Sequence, residues 1–206
     1  MLFKKTIKSI VYFVLSKFLI RNCTDNKIYL TFDDGPHPVN TKKILKILND
    51  YNAKASFFMV GKDMLKYPEI VKQVLAEGHG VVYHSNNHDQ PKKISFKQFK
   101  NDMCMSEEIQ KGLDIHIDKF YRPPYGQITI KGLIWLVLNK WKVIMWSIDS
   151  RDSFDSAEKI INNVHPDNIK NGDIILFHDD YEKTVDILPC ILKEYQTKSL
   201  EYGVFN

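Results

Sequence analysis

The stretch Lys27-Ile28-Tyr29-Leu30-Thr31-Phe32-Asp33-Asp34-Gly35-Pro36 carries the first decisive signal in the chain. Its residues 27–32 have the apolar and β-branched make-up of a strand, and a Gly-Pro turn ends it. Between strand and turn stand two adjacent acids. Neighbouring carboxylates repel each other and aspartate disfavours strands, so the pair needs something to offset its cost. A metal ion or a catalytic proton would do so; in isolation, Asp-Asp-Gly also reads as an ordinary turn.

The same arrangement, an apolar run that ends in ionisable residues, returns along the chain. The pattern predicts strands at 27–32, 55–60, 80–84, 119–121, 143–148, 173–177 and 202–205, with helices near 39–51, 67–77, 95–113, 128–139, 156–164 and 184–197. Pro38 and Pro68 suit helix starts and Gly78 a helix stop. Strands that alternate with helices predict a mostly parallel sheet, because each parallel crossover needs a covering helix. No G-x-G-x-x-G or Walker-type loop follows the first strand, which argues against a nucleotide-binding doubly wound sheet. Polar residues cluster instead after strand one (Asp33, Asp34), strand three (His84, His88), strand four (Arg122, Tyr125), strand five (Asp149, Asp152) and strand six (His178). Chemistry gathered from the ends of many strands is the habit of a β/α barrel. The expected fold is a single-domain irregular (β/α)7 barrel.

A chain of 206 residues with 44% hydrophobic side chains can bury one sizeable core. Its net charge of +4 is mild, its lysines are scattered, and it has no nucleic-acid motif, so no nucleic-acid partner is expected. Cys23, Cys104 and Cys190 are odd in number and far apart, which predicts buried thiols rather than disulfides or a metal knuckle. At the start, Lys4, Lys5 and Lys8 precede an apolar run over 10–20 that Lys17 interrupts. Phe3, Ile7, Ile10, Val11, Val14 and Phe18 share one face at helical spacing. Residues 1–22 therefore read as an amphipathic helix ahead of a single domain over 23–206. That helix packs on the domain, makes peripheral membrane contact through residues 1–20, or belongs to a processed signal.

His84 and His88 stand four apart, a spacing that on a helical turn puts both on one face toward a single metal ion. Two histidines so spaced also occur by chance, and Ser85 in place of a glutamate excludes a zincin-type protease. A carboxylate from the Asp33-Asp34 pair would complete a His-His-Asp set with open positions for water. The partner acid would then be free to take a proton. The same set holds iron in some oxygenases, but these are antiparallel jelly rolls, whereas this chain alternates strand and helix. In Phe120-Tyr121-Arg122-Pro123-Pro124-Tyr125-Gly126, the two prolines lock the backbone, so the Arg122 head group is expected to be aimed.

Thr-Phe-Asp-Asp-Gly-Pro at 31–36, His-Ser-x-x-His at 84–88, Arg-Pro-Pro-Tyr-Gly at 122–126, Asp-Ser-x-Asp at 149–152 and Leu-Phe-His at 176–178 come in this order. Together they resemble the five motifs of the polysaccharide deacetylase family (carbohydrate esterase family 4), over about 27 to 205. The resemblance implies a hydrolase that removes N-acetyl groups from N-acetylglucosamine-containing glycans such as peptidoglycan, chitooligosaccharide or exopolysaccharide, at the cell envelope. A non-catalytic glycan-binding barrel is the alternative. The resemblance further implies that Asp33 is the general base and that Asp34, His84 and His88 hold one divalent metal ion, commonly zinc. Arg122 would orient Asp33, and the Tyr125 backbone N–H would help bind the oxyanion. Leu176 would receive the acetyl methyl group, and His178, paired with Asp152, would be the general acid.

The sequence departs from the family in two places. Ser153 stands where members often carry a groove-lining tryptophan, which implies a more open groove that Phe154 or Trp146 compensates. Val81-Val82-Tyr83 replaces smaller or polar residues before His84, so Tyr83 is expected to crowd the strand end.

Overall fold

The computed structural model describes residues 18–206. Its strands are β1 (Leu19–Ile20), β2 (Tyr29–Gly35), β3 (Ala55–Met59), β4 (Gly80–Tyr83), β5 (Phe120–Tyr121), β6 (Lys142–Ile144), β7 (Ile148–Asp149) and β8 (Ile174–His178). The helices are α1 (Asn40–Asp50), α2 (Gly61–Lys66), α3 (Pro68–Ala76), α4 (Phe96–Leu113), α5 (Ile130–Leu138), α6 (Ala157–Asn163) and α7 (Glu182–Thr197). All strand pairings are parallel, in the order β1-β6-β5-β4-β3-β2-β8-β7. The two ends of this sheet are brought together by the chain itself. Met145, Trp146 and Ser147 lead from β6 directly into β7, and Asn22 bridges Asp173 at the start of β8. The fold is the irregular, curled β/α barrel that the alternation predicts.

Alternation along β2 builds two layers at once. Leu30 and Phe32 point outward, where Phe32 stacks with Phe57 and Phe177 beneath the helices. Tyr29 points inward to a second cluster with Phe58, Val82, Ile144, Ile174 and Phe205. Each fully buried aromatic or aliphatic side chain contributes about 1.5–3 kcal/mol, so both layers hold the strand ends still. Thr31 and Asp33 follow Tyr29 on the inward face, which carries Asp33 to the mouth of the barrel.

Several local expectations are corrected. Residues 1–17 of the predicted N-terminal helix lie outside the described residues, and Leu19 and Ile20 form strand β1, paired with Val143 and Ile144, rather than a helix end. Strand 143–148 is broken, because Arg122 takes the carbonyls of Ile144 and Met145 that a continuing ladder would use. Residues 202–205 make only an isolated bridge, between Tyr202 and Ile28. Phe205 turns in to close the barrel floor, stacked on Tyr29 at 4.7 Å. Helix α2 went unpredicted; it is six residues long and has no side-chain cap. Cys104 and Cys190 are exposed and Cys23 half-buried, not buried thiols. Among the described residues, no helix is long and apolar enough to cross a membrane.

Candidate active site

Every predicted site residue lies at the C-terminal end of the parallel strands, and most line one open cleft of about 340 Å³. Asp33, Asp34, His84, His88, Tyr125, Trp146, Leu176 and His178 border it. Arg122 and Asp152 lie beneath it, both fully buried.

Asp33 and Asp34 could not share this cleft in a regular strand, because successive side chains point to opposite faces. The register between β2 and β3 shifts between Asp33 and Gly35, and Asp34 adopts a left-handed backbone with φ of 74°. This bulge turns both carboxylates to the same side. Left-handed backbones recur at His88 (φ 59°) and Tyr125 (φ 58°). Such residues cost of order 1–3 kcal/mol each and persist where surrounding structure over-determines them.

The histidine pair is not helical. Beyond β4 the chain runs as a loop, tied by His88 N–H to Ser85 Oγ at 2.9 Å and by Asn86 N–H to Asp102 Oδ2 at 2.9 Å. Tyr83 does not crowd the cleft. Its ring packs outward among Tyr121 and Trp141, and its hydroxyl donates to the Asp102 carbonyl at 2.9 Å. Burial pushes the Asp102 carboxyl up to about 6.

Arg122 is the keystone of the barrel mouth. Its guanidinium lies 3.7 Å from the ring centre of Phe58 and donates through Nη1 to Asp33 Oδ1 (2.6 Å) and Thr31 Oγ1 (2.9 Å). Nη2 and Nε reach the carbonyls of Met145 (2.9 Å) and Ile144 (3.3 Å). Burial lowers the Arg122 pKa and the Asp33 charge opposes that shift. His84 Nδ1–H donates to the Arg122 carbonyl at 2.8 Å, which leaves the Nε2 lone pair free.

Across the cleft, His178 Nδ1 lies 2.7 Å from Asp152 Oδ1. Asp152 Oδ2 accepts from His178 N–H and Thr184 Oγ1, both at 2.7 Å. Burial by itself lowers the His178 pKa, but the Asp152 hydrogen bond and charge outweigh it and push the imidazole up to about 9. One carboxylate is thus held by a fixed cation and one imidazole by a fixed anion.

The residues between them fit a metal ion. One ligand atom each of Asp34, His84 and His88 lies within 4.8 Å of the others. Asp34 Oδ1 is 3.0 Å from His88 Nε2 and 3.4 Å from His84 Nε2, yet it is a buried oxygen without a hydrogen-bond partner. The donors face a common point more than they bond to one another. Burial raises the Asp34 pKa, but the two imidazoles hold it well below the usual carboxylate range. Two imidazoles and a carboxylate with room for water are the donor set of a hydrolytic zinc site.

Sequence reasoning passed over one cleft residue, Tyr181. Tyr181 packs edge-on to His178 at 5.9 Å, with no motif signal to mark it. Asp149, Ser153 and Phe154, all named from the sequence, also line the cleft, and Phe154 is 81% exposed. Thr31 was legible as the residue two before Asp33, on the same strand face.

The family profile described as polysaccharide deacetylase matches residues 21–143. A peptidoglycan-N-acetylglucosamine deacetylase of Bacillus cereus is 35% identical over 181 residues, covering 85% of this chain and 66% of its own length. A chitooligosaccharide deacetylase of Azorhizobium caulinodans is 33% identical over 162 residues, covering 75% of this chain and 74% of its own. A crystal structure of a peptidoglycan N-acetylglucosamine deacetylase superposes with a TM-score of 0.83 at 34% identity, over 90% of this chain and 89% of that one. With its profile matched over more than half of its length and the fold shared over 90% of it, the chain belongs to the polysaccharide deacetylase family.

Proposed function

We propose that this chain is a metal-dependent N-deacetylase of N-acetylglucosamine-containing glycans. One observation carries the reading: a carboxylate fixed by Arg122 and an imidazole fixed by Asp152 border the same cleft as the Asp34, His84 and His88 cluster. Hydrolysis of an amide needs help at both ends, because the carbonyl is a poor electrophile and the amine a poor leaving group. The cleft supplies a proton acceptor and a proton donor as separate groups.

Asp34, His84 and His88 would hold one divalent ion, zinc being the best match to two nitrogens and one oxygen. When bound, such an ion supplies polarisation of the carbonyl and acidifies water from about 15.7 to about 7. Asp33 takes the proton of the attacking water, and the Arg122 hydrogen bond orients its carboxylate. The Tyr125 amide, which makes no hydrogen bond among the described residues, donates to the developing oxyanion. Leu176, almost fully buried at the base of the cleft, packs against the acetyl methyl group, with Trp146 on the flank. His178 delivers its proton to the departing nitrogen, and Asp152 holds the ring in place and charged. Residues 23–206 form the catalytic domain, and a cell-wall glycan as substrate would put the enzyme at the cell envelope.

The test is acetate release from peptidoglycan fragments, chitooligosaccharides and N-acetylated exopolysaccharide, beside His178→Ala. Release from at least one glycan, lost in the variant, supports the reading. Tight glycan binding without release from any of them overturns it in favour of a non-catalytic binding barrel.

A further inference from the structure

Asp179 follows the proposed general acid and has no part in the mechanism above, yet its carboxyl is fully buried. Oδ2 accepts from Thr41 Oγ1 at 2.5 Å, while Oδ1 has no hydrogen-bond partner. A buried carboxyl so poorly satisfied is costly, and a natural chain keeps one where its position is needed.

Its position is against the bulge that turns Asp34 into the cleft. A side chain at Gly35 would place its Cβ 2.2 Å from Asp179 Oδ2, so the carboxyl occupies space that only glycine leaves open. The Asp179 N–H donates to the Asp33 carbonyl at 3.1 Å, which extends the β2–β8 pairing one step past His178. Thr41 Oγ1 donates to Asp179 and itself accepts from the His37 N–H at 2.7 Å. Asn40 Nδ2 reaches the next carbonyl, Asp180 O, at 3.2 Å. The segment from Asp33 to Thr41 is thereby stitched to the end of β8 at four points. Asp34 needs that support, because its left-handed backbone is a strained state for a residue other than glycine.

We infer that Asp179 is a positioning residue: wedged against Gly35 and tied to Thr41, it holds Asp34 in the orientation in which it joins His84 and His88 around a cation. The inference rests on the metal reading of that cluster and concerns a residue outside it. Outer groups that fix a ligand's orientation are worth about 10–100-fold in metal affinity.

The experiment is zinc affinity of the metal-stripped full chain, read by competition with a chromophoric chelator, with thermal unfolding of the same metal-free samples. Asp179→Ala and Thr41→Val are expected to weaken zinc binding at least tenfold, while Thr41→Ser, which keeps the hydroxyl, stays within twofold of wild type. Tyr195→Phe is the control. It removes a buried hydrogen bond to the Val164 carbonyl far from the cluster, so it lowers Tm and leaves zinc affinity unchanged. Thr41→Val keeps the test open should Asp179→Ala not fold. Unchanged zinc affinity in Thr41→Val or in folded Asp179→Ala, whatever its Tm, overturns the inference alone. A wild-type chain that binds no divalent ion overturns the metal reading and the inference with it.

Discussion

Replacing Asp152 with asparagine isolates the charge that would make His178 the proposed general acid. In wild type, burial pulls the imidazole pKa down, and Asp152 overrides that to bring it to about 9. Asparagine keeps the shape and an acceptor for His178 N–H and Thr184 Oγ1, which donate to Oδ2. Its amide nitrogen then faces His178 Nδ1 and donates to it, which favours the neutral ring. With the carboxylate charge gone and burial remaining, the pKa should return to 6.5 or below. At pH 8 a group of pKa about 9 is roughly 90% protonated, and one of 6.5 roughly 3%, about a thirtyfold loss of acid. The assay is NMR titration of the His178 ring in metal-stripped protein, paired with acetate-release kcat/KM from pH 5.5 to 10. The alkaline limb of the rate profile should move down in the variant by about 2.5 units or more. A variant ring that still titrates near 9 would refute the assignment of that shift to Asp152.

The same shift has a stability consequence. A folded pKa raised above the unfolded value gives stability fully present below about 6.5 and lost as pH rises through about 9, on the order of 3 kcal/mol. Urea unfolding of metal-stripped wild type should therefore weaken from pH 6.5 to 9.5, and Asp152→Asn should be flatter over that range. Asp33→Asn should lower kcat by about 10²–10⁴ while zinc affinity is retained, because Asp33 is not among the proposed ligands; near-normal turnover would end its role as base. Arg122→Ala leaves Asp33 buried without its cation, so unfolding free energy should fall by about 3–5 kcal/mol. A loss below 1 kcal/mol would mean that the pair is not what holds the barrel mouth.

Much of this was legible in the sequence because the active-site chemistry is carried at strand ends. Asp33, His84, Arg122 and His178 each follow an apolar run, and a parallel sheet delivers such ends to one rim whatever the lengths of the connecting helices. What stayed hidden depends on backbone bends that no period encodes. The pairing of Asp33 with Asp34 in one cleft needs a bulge and a positive φ at Asp34. His84 and His88 meet through a loop, although their spacing suggests a helix. Tyr83 looked like an obstruction, but strand alternation sends it outward to Asp102. Strand 143–148 looked continuous, yet its carbonyls are claimed by an arginine more than twenty residues earlier in the chain. Asp179 offered no signal beyond adjacency to His178, since its burial arises from Gly35 and Thr41, more than 130 residues away.

The most direct test of the central claim is acetate release by metal-stripped protein as zinc is added in sub-stoichiometric steps, with bound zinc measured in the same samples. The account predicts activity that climbs in proportion to bound zinc and breaks at one ion per chain, and neither binding nor activity in His84→Ala. Full activity without zinc, or one ion bound with no acetate released from any N-acetylated glycan, would contradict it.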